Sequence, residues 1–163
     1  MIQAREVQRR YHGVCEGRMV AGQNVDKPIG RDPRHRTRQA VRDDGRPAYT
    51  EFRVEQRFRV HTLVEAQLGT GRTHQIRVHL KSIGYPLVGD KQYGARGKLP
   101  AGAQAHTIST LREFARQALH AYSLAFTHPV QGKWMSLEAP WPDDFAKLVA
   151  CLENDLEVDS EKD

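Results

Sequence analysis

Polar and basic side chains are concentrated where a predicted strand gives way to a predicted helix, in the segment Gly69–Leu80 with the sequence GTGRTHQIRVHL. Glycines turn the chain, and the helix then begins with Arg72, Thr73 and His74 bunched at its N-terminal end. Free backbone N–H groups at such an end attract anions, and Arg77 lies one turn inside it. The pattern predicts a phosphate or carboxylate site. The alternative is that Arg77 is an ordinary arginine on the surface of the helix.

A second concentration of positive charge lies in Gly22–Arg46, which is rich in glycine and proline and is predicted to be a long loop. Five arginines fall within twelve of its residues: Arg31, Arg34, Arg36, Arg38 and Arg42. Asp32 is the one acid among them, so their charge is largely unbalanced. We therefore predict that these arginines contact phosphates, with a solvated charged surface as the alternative.

The charge of the whole chain favours the same kind of partner. The 163 residues include 25 Lys plus Arg and 20 Asp plus Glu, which gives a net charge of +5. Residues 153–163 contain six acids and one base, so this segment carries −5 and the first 152 residues carry +10. A basic body of this size favours a polyanion as its partner.

Several other classes of protein and site are excluded by what the sequence lacks. No apolar run approaches the ~20 residues of a membrane helix, and the N-terminus has no apolar signal segment. Cys15 and Cys151 are too few for a disulfide framework and suit a reducing compartment, which predicts a cytoplasmic protein. His74 and His79 are five residues apart and so do not share a helix face as metal ligands would. The absence of GxSxG, GxxxxGK and GxGxxG motifs leaves nucleophilic serine chemistry and nucleotide hydrolysis without support.

Hydrophobic periodicity predicts an α+β domain with flanking helices on a mainly antiparallel, mixed sheet. Strands are predicted at Arg10–Glu16, Ala48–Phe58, Val60–Leu68, Gln117–Thr127 and Trp134–Glu138. Helices are predicted at Thr73–Ile83, capped by Thr70 or Thr73, and from Asp143 to Leu152. The domain is thus expected to span residues 1–152, and the acidic residues 153–163 are expected to be a disordered tail.

Two segments, GRTHQIRVH and PLVGDKQYG, resemble the RluA family of pseudouridine synthases, whose motifs at these points are long enough to be specific. The similarity continues through VDKPIGRDPRHRTRQAV, FRVHT and HTISTLREFARQALHA, and these segments are most similar to the RluD type, which modifies large-subunit (23S) ribosomal RNA. It covers about Ile2 to Leu152 and implies the C-terminal part of the family's catalytic domain. The implied partner is large-subunit ribosomal RNA or a pre-ribosomal particle.

The resemblance implies an isomerase that breaks the uridine N-glycosidic bond, rotates the freed base and rejoins it through carbon, without a cofactor. The family's nucleophile is an aspartate in an Arg-Leu-Asp segment, and this sequence contains no such segment. The expectation is a fragment that is inactive alone, whose partner is the missing N-terminal part of the same enzyme. The alternative is a non-enzymatic RNA-binding remnant of the same fold.

Two site residues of the family carry over to this sequence. Tyr11, in RRYHGVCEG, corresponds to the tyrosine that stacks on the flipped base, although the residue alone favours a half-buried strand tyrosine. Arg77 corresponds to the basic residue that pairs with the catalytic aspartate and keeps it ionised. RNA contacts are assigned to the arginines of the basic segment and the start of the helix: Arg31, Arg34, Arg36, Arg38, Arg42, Arg72, Thr73 and His74.

Overall fold

The computed structural model describes residues 7–162, which form a six-stranded sheet flanked by helices. The strands are β1 (Val7–Glu16), β2 (Gln23–Asp26), β3 (Ile29–Arg31), β4 (Gln39–Val41), β5 (Tyr49–Arg57), β6 (His61–Leu68), β7 (Leu119–Thr127) and β8 (Trp134–Glu138). The order of strands in the main sheet is β2-β5-β6-β1-β7-β8. The helices are α1 (Gln75–Ser82), α2 (Ala105–Glu113) and α3 (Asp143–Ser160), with one 3-10 turn at Lys91–Tyr93.

The predicted α+β class with a mainly antiparallel sheet is confirmed. Every strand pair within residues 7–162 is antiparallel, so the described sheet lacks the parallel pairs of a mixed one. The five predicted strands are present with ends shifted by no more than three residues. The central strand is β1, whose Tyr11 faces Ala66 of β6 on one side and Ala121 of β7 on the other.

Helices cover both faces of the sheet, and successive side chains of β1 point alternately into the core on each face. Val14 belongs to a core that contains Phe145 and Leu148 of α3, whereas its neighbour Cys15 belongs to a core that contains Leu80 of α1. Successive side chains of a strand point to opposite faces, so α1 and α3 lie on opposite sides of the sheet. None of the helices in residues 7–162 has the length and apolar character that a bilayer crossing requires.

The segment Gly22–Arg46 is not the long loop that its composition predicts. It contains β2 at the sheet edge and a two-stranded hairpin, β3–β4, outside the main sheet. Ile29 of the hairpin is 2% exposed and packs with Val78 of α1 and with Tyr93. This small separate core orders the hairpin against α1 in spite of its glycine and proline content.

Two helices also differ from the sequence-based expectations. Helix α2 is absent from the prediction because only Thr107 and Leu111 of its nine residues are buried, which gives no apolar stripe. Helix α3 does not stop at Leu152 but continues to Ser160, so most of the expected disordered tail is helical. The extension is held by Asp155, which is 5% exposed.

Asp155 and Arg59 connect the end of α3 to the chain between β5 and β6. Arg59 Nη1 lies 3.3 Å from Asp155 Oδ2, and Arg59 Nε lies 3.2 Å from Asp159 Oδ2. Arg59 also donates to the carbonyl oxygen of Ala101. The acidic composition of this segment therefore reflects an ion-paired helix end, which a charge count alone does not distinguish from a solvated tail.

We expect Asp155→Ala to destabilise the chain by about 1–3 kcal/mol, because it removes the buried one of the two carboxylates that pair with the largely buried Arg59 guanidinium. Urea denaturation followed by circular dichroism measures the change. Glu153→Ala, an exposed position in the same helix turn, is the matched control and should stay close to wild type. Equal stability of the two variants would contradict the anchoring role of Asp155.

Candidate functional site

Arg77 is held in one orientation by a buried carboxylate. Its Nε donates to Asp90 Oδ2 at 2.9 Å and its Nη2 donates to Asp90 Oδ1 at 2.8 Å, while Nη2 also reaches Gln92 Oε1 at 2.9 Å. The two side chains are 12% and 1% exposed, and the hydrogen bond to Asp90 raises the pKa of Arg77. In residues 7–162 these hydrogen bonds use Nε and Nη2 of Arg77, and none engages Nη1.

The Tyr93 ring packs against the guanidinium of Arg77. The guanidinium lies 4.6 Å from the centre of the Tyr93 ring, a cation–π arrangement. The Tyr93 hydroxyl accepts from the backbone N–H of Gln39 at 2.8 Å and lies 2.6 Å from His74 Nδ1. Since Gln39 supplies the proton of the first bond, the phenol proton is free to go to His74. One buried ring thus connects α1, the β3–β4 hairpin and the Asp90 turn.

His74 begins α1 in an unusual backbone conformation. Its φ of 55° is the left-handed value, and no other described non-glycine residue has a positive φ. The expected Thr70 or Thr73 cap is absent, because Thr70 Oγ1 donates instead to Gln75 Oε1 at 2.7 Å. Burial, followed by the charge of Arg77, lowers the pKa of His74, so the neutral ring is favoured. Strained conformations of this kind concentrate at functional sites.

Tyr11 lies in the middle of the sheet, half-buried, between Ala66 and Ala121. It packs against the core that contains Ile76 of α1, the residue next to Arg77. The two predicted catalytic residues are therefore on the α1 side of the sheet, but no hydrogen bond joins them within the described chain. Tyr11 also borders a cavity of about 260 Å³.

Three of the predicted phosphate-contacting residues meet in one groove of about 300 Å³. Arg31, Arg72 and Thr73 line it together with Arg46, which the sequence analysis did not select. Arg72 is oriented by a 2.8 Å hydrogen bond from its Nε to the carbonyl oxygen of Pro47. The groove therefore joins the hairpin to the start of α1 and presents three arginines around one concave surface.

The remaining arginines of the basic segment divide into two groups. Arg42 is occupied inside the hairpin, because it pairs with Asp44 at 2.8 Å and donates to the carbonyl oxygen of Arg31. No ion pair within residues 7–162 involves the three arginines around the hairpin turn, which are Arg34, Arg36 and Arg38. Arg42 thus stabilises the hairpin, whereas the three turn arginines are not neutralised by an acid of the described chain.

We expect replacement of Arg34, Arg36 and Arg38 by alanine to reduce the slope of log affinity for RNA against log salt by about 2 to 3, at ~0.7 to 0.9 per phosphate contact. The change should be similar for ribosomal and unrelated stem-loops, because phosphate contacts carry no direct sequence information. Anisotropy titrations over a range of salt concentrations measure the slope. An unchanged slope would mean that these arginines form a solvated face.

The residues that fix Arg77 are not among the predicted site residues. Asp90 and Gln92 belong to the PLVGDKQYG segment, whose glycines by themselves predict only a tight turn. Gly89 and Gly94 do have the left-handed φ values of 77° and 95° that such turns need. An acid beside a tight turn, in a segment with a family match, is the signal that could have identified Asp90.

Comparisons with known proteins identify the family of the chain. Residues 1–82 match the RNA pseudouridylate synthase family. The ribosomal large subunit pseudouridine synthases D of Vibrio vulnificus and Escherichia coli are 48% and 49% identical to the chain over 156 residues, 96% of the chain and 48% of each relative. The chain thus spans about half the length of these relatives, and its predicted similarity to the RluD type is confirmed.

Solved structures show the same fold. The chain superposes on human RNA pseudouridylate synthase domain containing 4 with a TM-score of 0.70 and 25% identity, over 93% of the chain and 64% of that structure. Human RNA pseudouridylate synthase domain containing 1 gives a TM-score of 0.68 at 23% identity, over 90% of the chain and 59% of that structure. From the match over residues 1–82 and the fold it shares with these structures, the chain belongs to the RNA pseudouridylate synthase family.

Proposed function

We propose that the chain is the part of a large-subunit ribosomal RNA pseudouridine synthase that carries Tyr11, Arg77 and a surface for RNA phosphates. The observation that carries this proposal is the 48–49% identity to relatives of that name over almost the whole chain. The nucleophilic aspartate would come from the portion of the enzyme that corresponds to the unmatched half of those relatives. The substrate is the RNA of the large subunit, free or in a pre-ribosomal particle, in the cytoplasm.

In this proposal Arg77 orients and stabilises the nucleophile. Asp90 occupies Nε and Nη2 of Arg77, which leaves Nη1 to donate to a second carboxylate. A carboxylate beside a guanidinium has a lowered pKa, so it stays ionised and can attack the ribose. Asp90 itself cannot be that nucleophile, because it is buried and its two oxygens already bind Arg77.

Tyr11 would receive the uracil ring. A half-buried phenol offers a flat face for offset stacking with a base taken out of the RNA. The neighbouring cavity, about 260 Å³ and bordered by Leu124 and Leu137, gives this ring apolar surroundings. The base would thus be held while it rotates between breakage of the C–N bond and formation of the C–C bond.

The second candidate function is RNA binding without catalysis. It is favoured by one observation, the absence of an Arg-Leu-Asp segment from the 163 residues. The groove of Arg31, Arg46 and Arg72 would serve either function equally. The two proposals differ in whether the chain completes a working active site when the unmatched half of a relative is supplied.

A chimera tests this difference directly. The matched portion of the Escherichia coli relative is replaced by this chain, and pseudouridine in large-subunit RNA is mapped in cells that lack the native enzyme. We expect pseudouridine at the positions that the native relative modifies. A soluble chimera that binds RNA but forms no pseudouridine would overturn the catalytic proposal and leave RNA binding.

Two matched substitutions in the chimera test the assigned roles. Tyr11→Phe keeps the aromatic face and should retain most activity, whereas Tyr11→Leu fills the sheet but removes the stacking surface and should abolish the chemical step. Comparable activity of the two variants, with only the thermal stability reduced, would assign Tyr11 to the core. Single-turnover rates at saturating RNA separate the chemical step from binding.

A further inference from the structure

A second basic groove, of about 590 Å³, lies at the C-terminal end of α1. It is lined by Lys81 from the helix and by Arg96 and Lys98 from the chain that follows the 3-10 turn. All three side chains are exposed, and no ion pair in the described residues involves them. None of these three was selected from the sequence, since they lie outside the arginine-rich segment.

Among the described residues Glu16 is the one acid that lines this groove. It is 5% exposed, and its carboxylate oxygens accept from the backbone N–H groups of Arg96 and Gly97 at 2.9 to 3.0 Å. Backbone N–H groups that bind a carboxylate stabilise its negative charge. Glu16 therefore fixes the Arg96–Gly97 backbone against the end of β1, and with three cations and one acid the groove keeps a net positive charge.

The second groove lies next to the hairpin of the proposed RNA surface. Tyr93 lines the groove, and its hydroxyl accepts from the backbone N–H of Gln39 in β4 at 2.8 Å. The neighbouring Gln92 donates to the carbonyl oxygen of Thr37 at 3.0 Å. The 3-10 turn thus connects the hairpin to the groove, so one RNA strand can contact both.

We propose that the groove of Lys81, Arg96 and Lys98 binds phosphodiester groups of the RNA substrate beyond the hairpin. The inference rests on the proposed function, because it assigns a further stretch of the same RNA. Exposed cationic side chains that form neither an ion pair nor a hydrogen bond to the backbone contribute little to the stability of the fold. The same three charges around one concavity contribute to polyanion binding by releasing counterions. Such contacts position the RNA and do not read its sequence.

The test compares triple variants that remove the same charge from different surfaces. Lys81→Ala/Arg96→Ala/Lys98→Ala removes the groove cations, and a control triple removes three other exposed lysines, Lys133→Ala, Lys147→Ala and Lys162→Ala. The probe is a stem-loop transcript of large-subunit ribosomal RNA, titrated at several salt concentrations. Circular dichroism and thermal unfolding verify that each variant is folded.

We expect the groove variant to flatten the slope of log affinity against log salt by about 2, at ~0.7 to 0.9 per contact. When the salt concentration rises from about 50 to about 200 mM, the RNA affinity of the groove variant should therefore fall by a factor roughly 16 times smaller than that of the wild type. The control triple should keep the wild-type slope, and exchanging the groove cations as Lys81→Arg, Arg96→Lys and Lys98→Arg should keep it too.

The outcomes separate this inference from the proposed function. A groove variant that behaves like the control triple overturns the inference, while a flattened slope for the hairpin variant would still support RNA binding. Equal flattening in the groove and control variants would show a general charge effect and would also overturn it. If the wild-type chain does not bind the transcript at all, both the groove and the proposed function fail.

Discussion

Asp90→Ala is expected to be among the most destabilising single substitutions in this chain, at a cost of about 3–5 kcal/mol. Asp90 is 1% exposed and binds two nitrogens of Arg77, which is itself only 12% exposed. Removing the carboxylate leaves a largely buried guanidinium with Gln92 as its remaining side-chain hydrogen-bond acceptor among the described residues. It also removes the contact from Asp90 to the backbone N–H of Tyr93, at 3.3 Å, that closes the 3-10 turn.

Urea denaturation gives the free energy of unfolding for this variant, and a second variant separates charge burial from packing. In Arg77→Met/Asp90→Leu both charges are replaced by apolar side chains of similar size, so no unpaired charge remains. We expect the double variant to be clearly more stable than Asp90→Ala, as for other buried pairs that are replaced together. A smaller loss in Asp90→Ala than in the double variant would show that the pair is effectively solvated.

The second prediction is that the chain alone does not catalyse pseudouridine formation. We expect tritium release from labelled large-subunit ribosomal RNA to stay at background, although the chain binds the same RNA. The physical reason is that the chain contains no Arg-Leu-Asp segment, and the carboxylate beside Arg77 is buried with both oxygens engaged. Without an accessible carboxylate beside Arg77, orientation of the base cannot break the glycosidic bond.

The chimera with the Escherichia coli relative provides the positive control for this assay. Its activity shows that the RNA preparation and the fold of this chain are competent. Release well above background by the chain alone would contradict the prediction, and substitution of each exposed Asp by Asn would then identify the nucleophile. Asp26 and Asp43 are accessible starting points for such a scan.

The strands of the main sheet could be predicted because each carries its own pattern. In VHTLVEAQL the alternation of apolar side chains marks β6, and Gly69 marks its end. The hairpin β3–β4 has no such local pattern, since its strands are three residues long. Its order depends on Ile29 packing against Val78 and Tyr93, which are distant in sequence. Local periodicity cannot reveal an element that a remote core stabilises.

The chemistry of the site could be predicted only as far as residue types. The polar start of α1 and the position of Arg77 follow from the helical pattern and from the family resemblance. The hydrogen-bond partners of Arg77 could not be predicted in this way, because Asp90 reaches Arg77 only after the chain has turned back at Gly84 and Gly89. The same holds for Arg42, whose predicted phosphate contact rests on its charge, whereas the structure pairs it with Asp44 next to the hairpin.

The position of β1 has a consequence for synthesis of the protein. Although β1 precedes every other described strand, its central place in the sheet means that Tyr11 pairs with Ala66, 55 residues later, and with Ala121, 110 residues later. Pairings this remote along the chain slow folding, because the intervening loop must close first. On the ribosome, β1 is made before the other described strands but stays incompletely paired until β7 has emerged, so one of its hydrogen-bonding edges is exposed while the residues between them are translated.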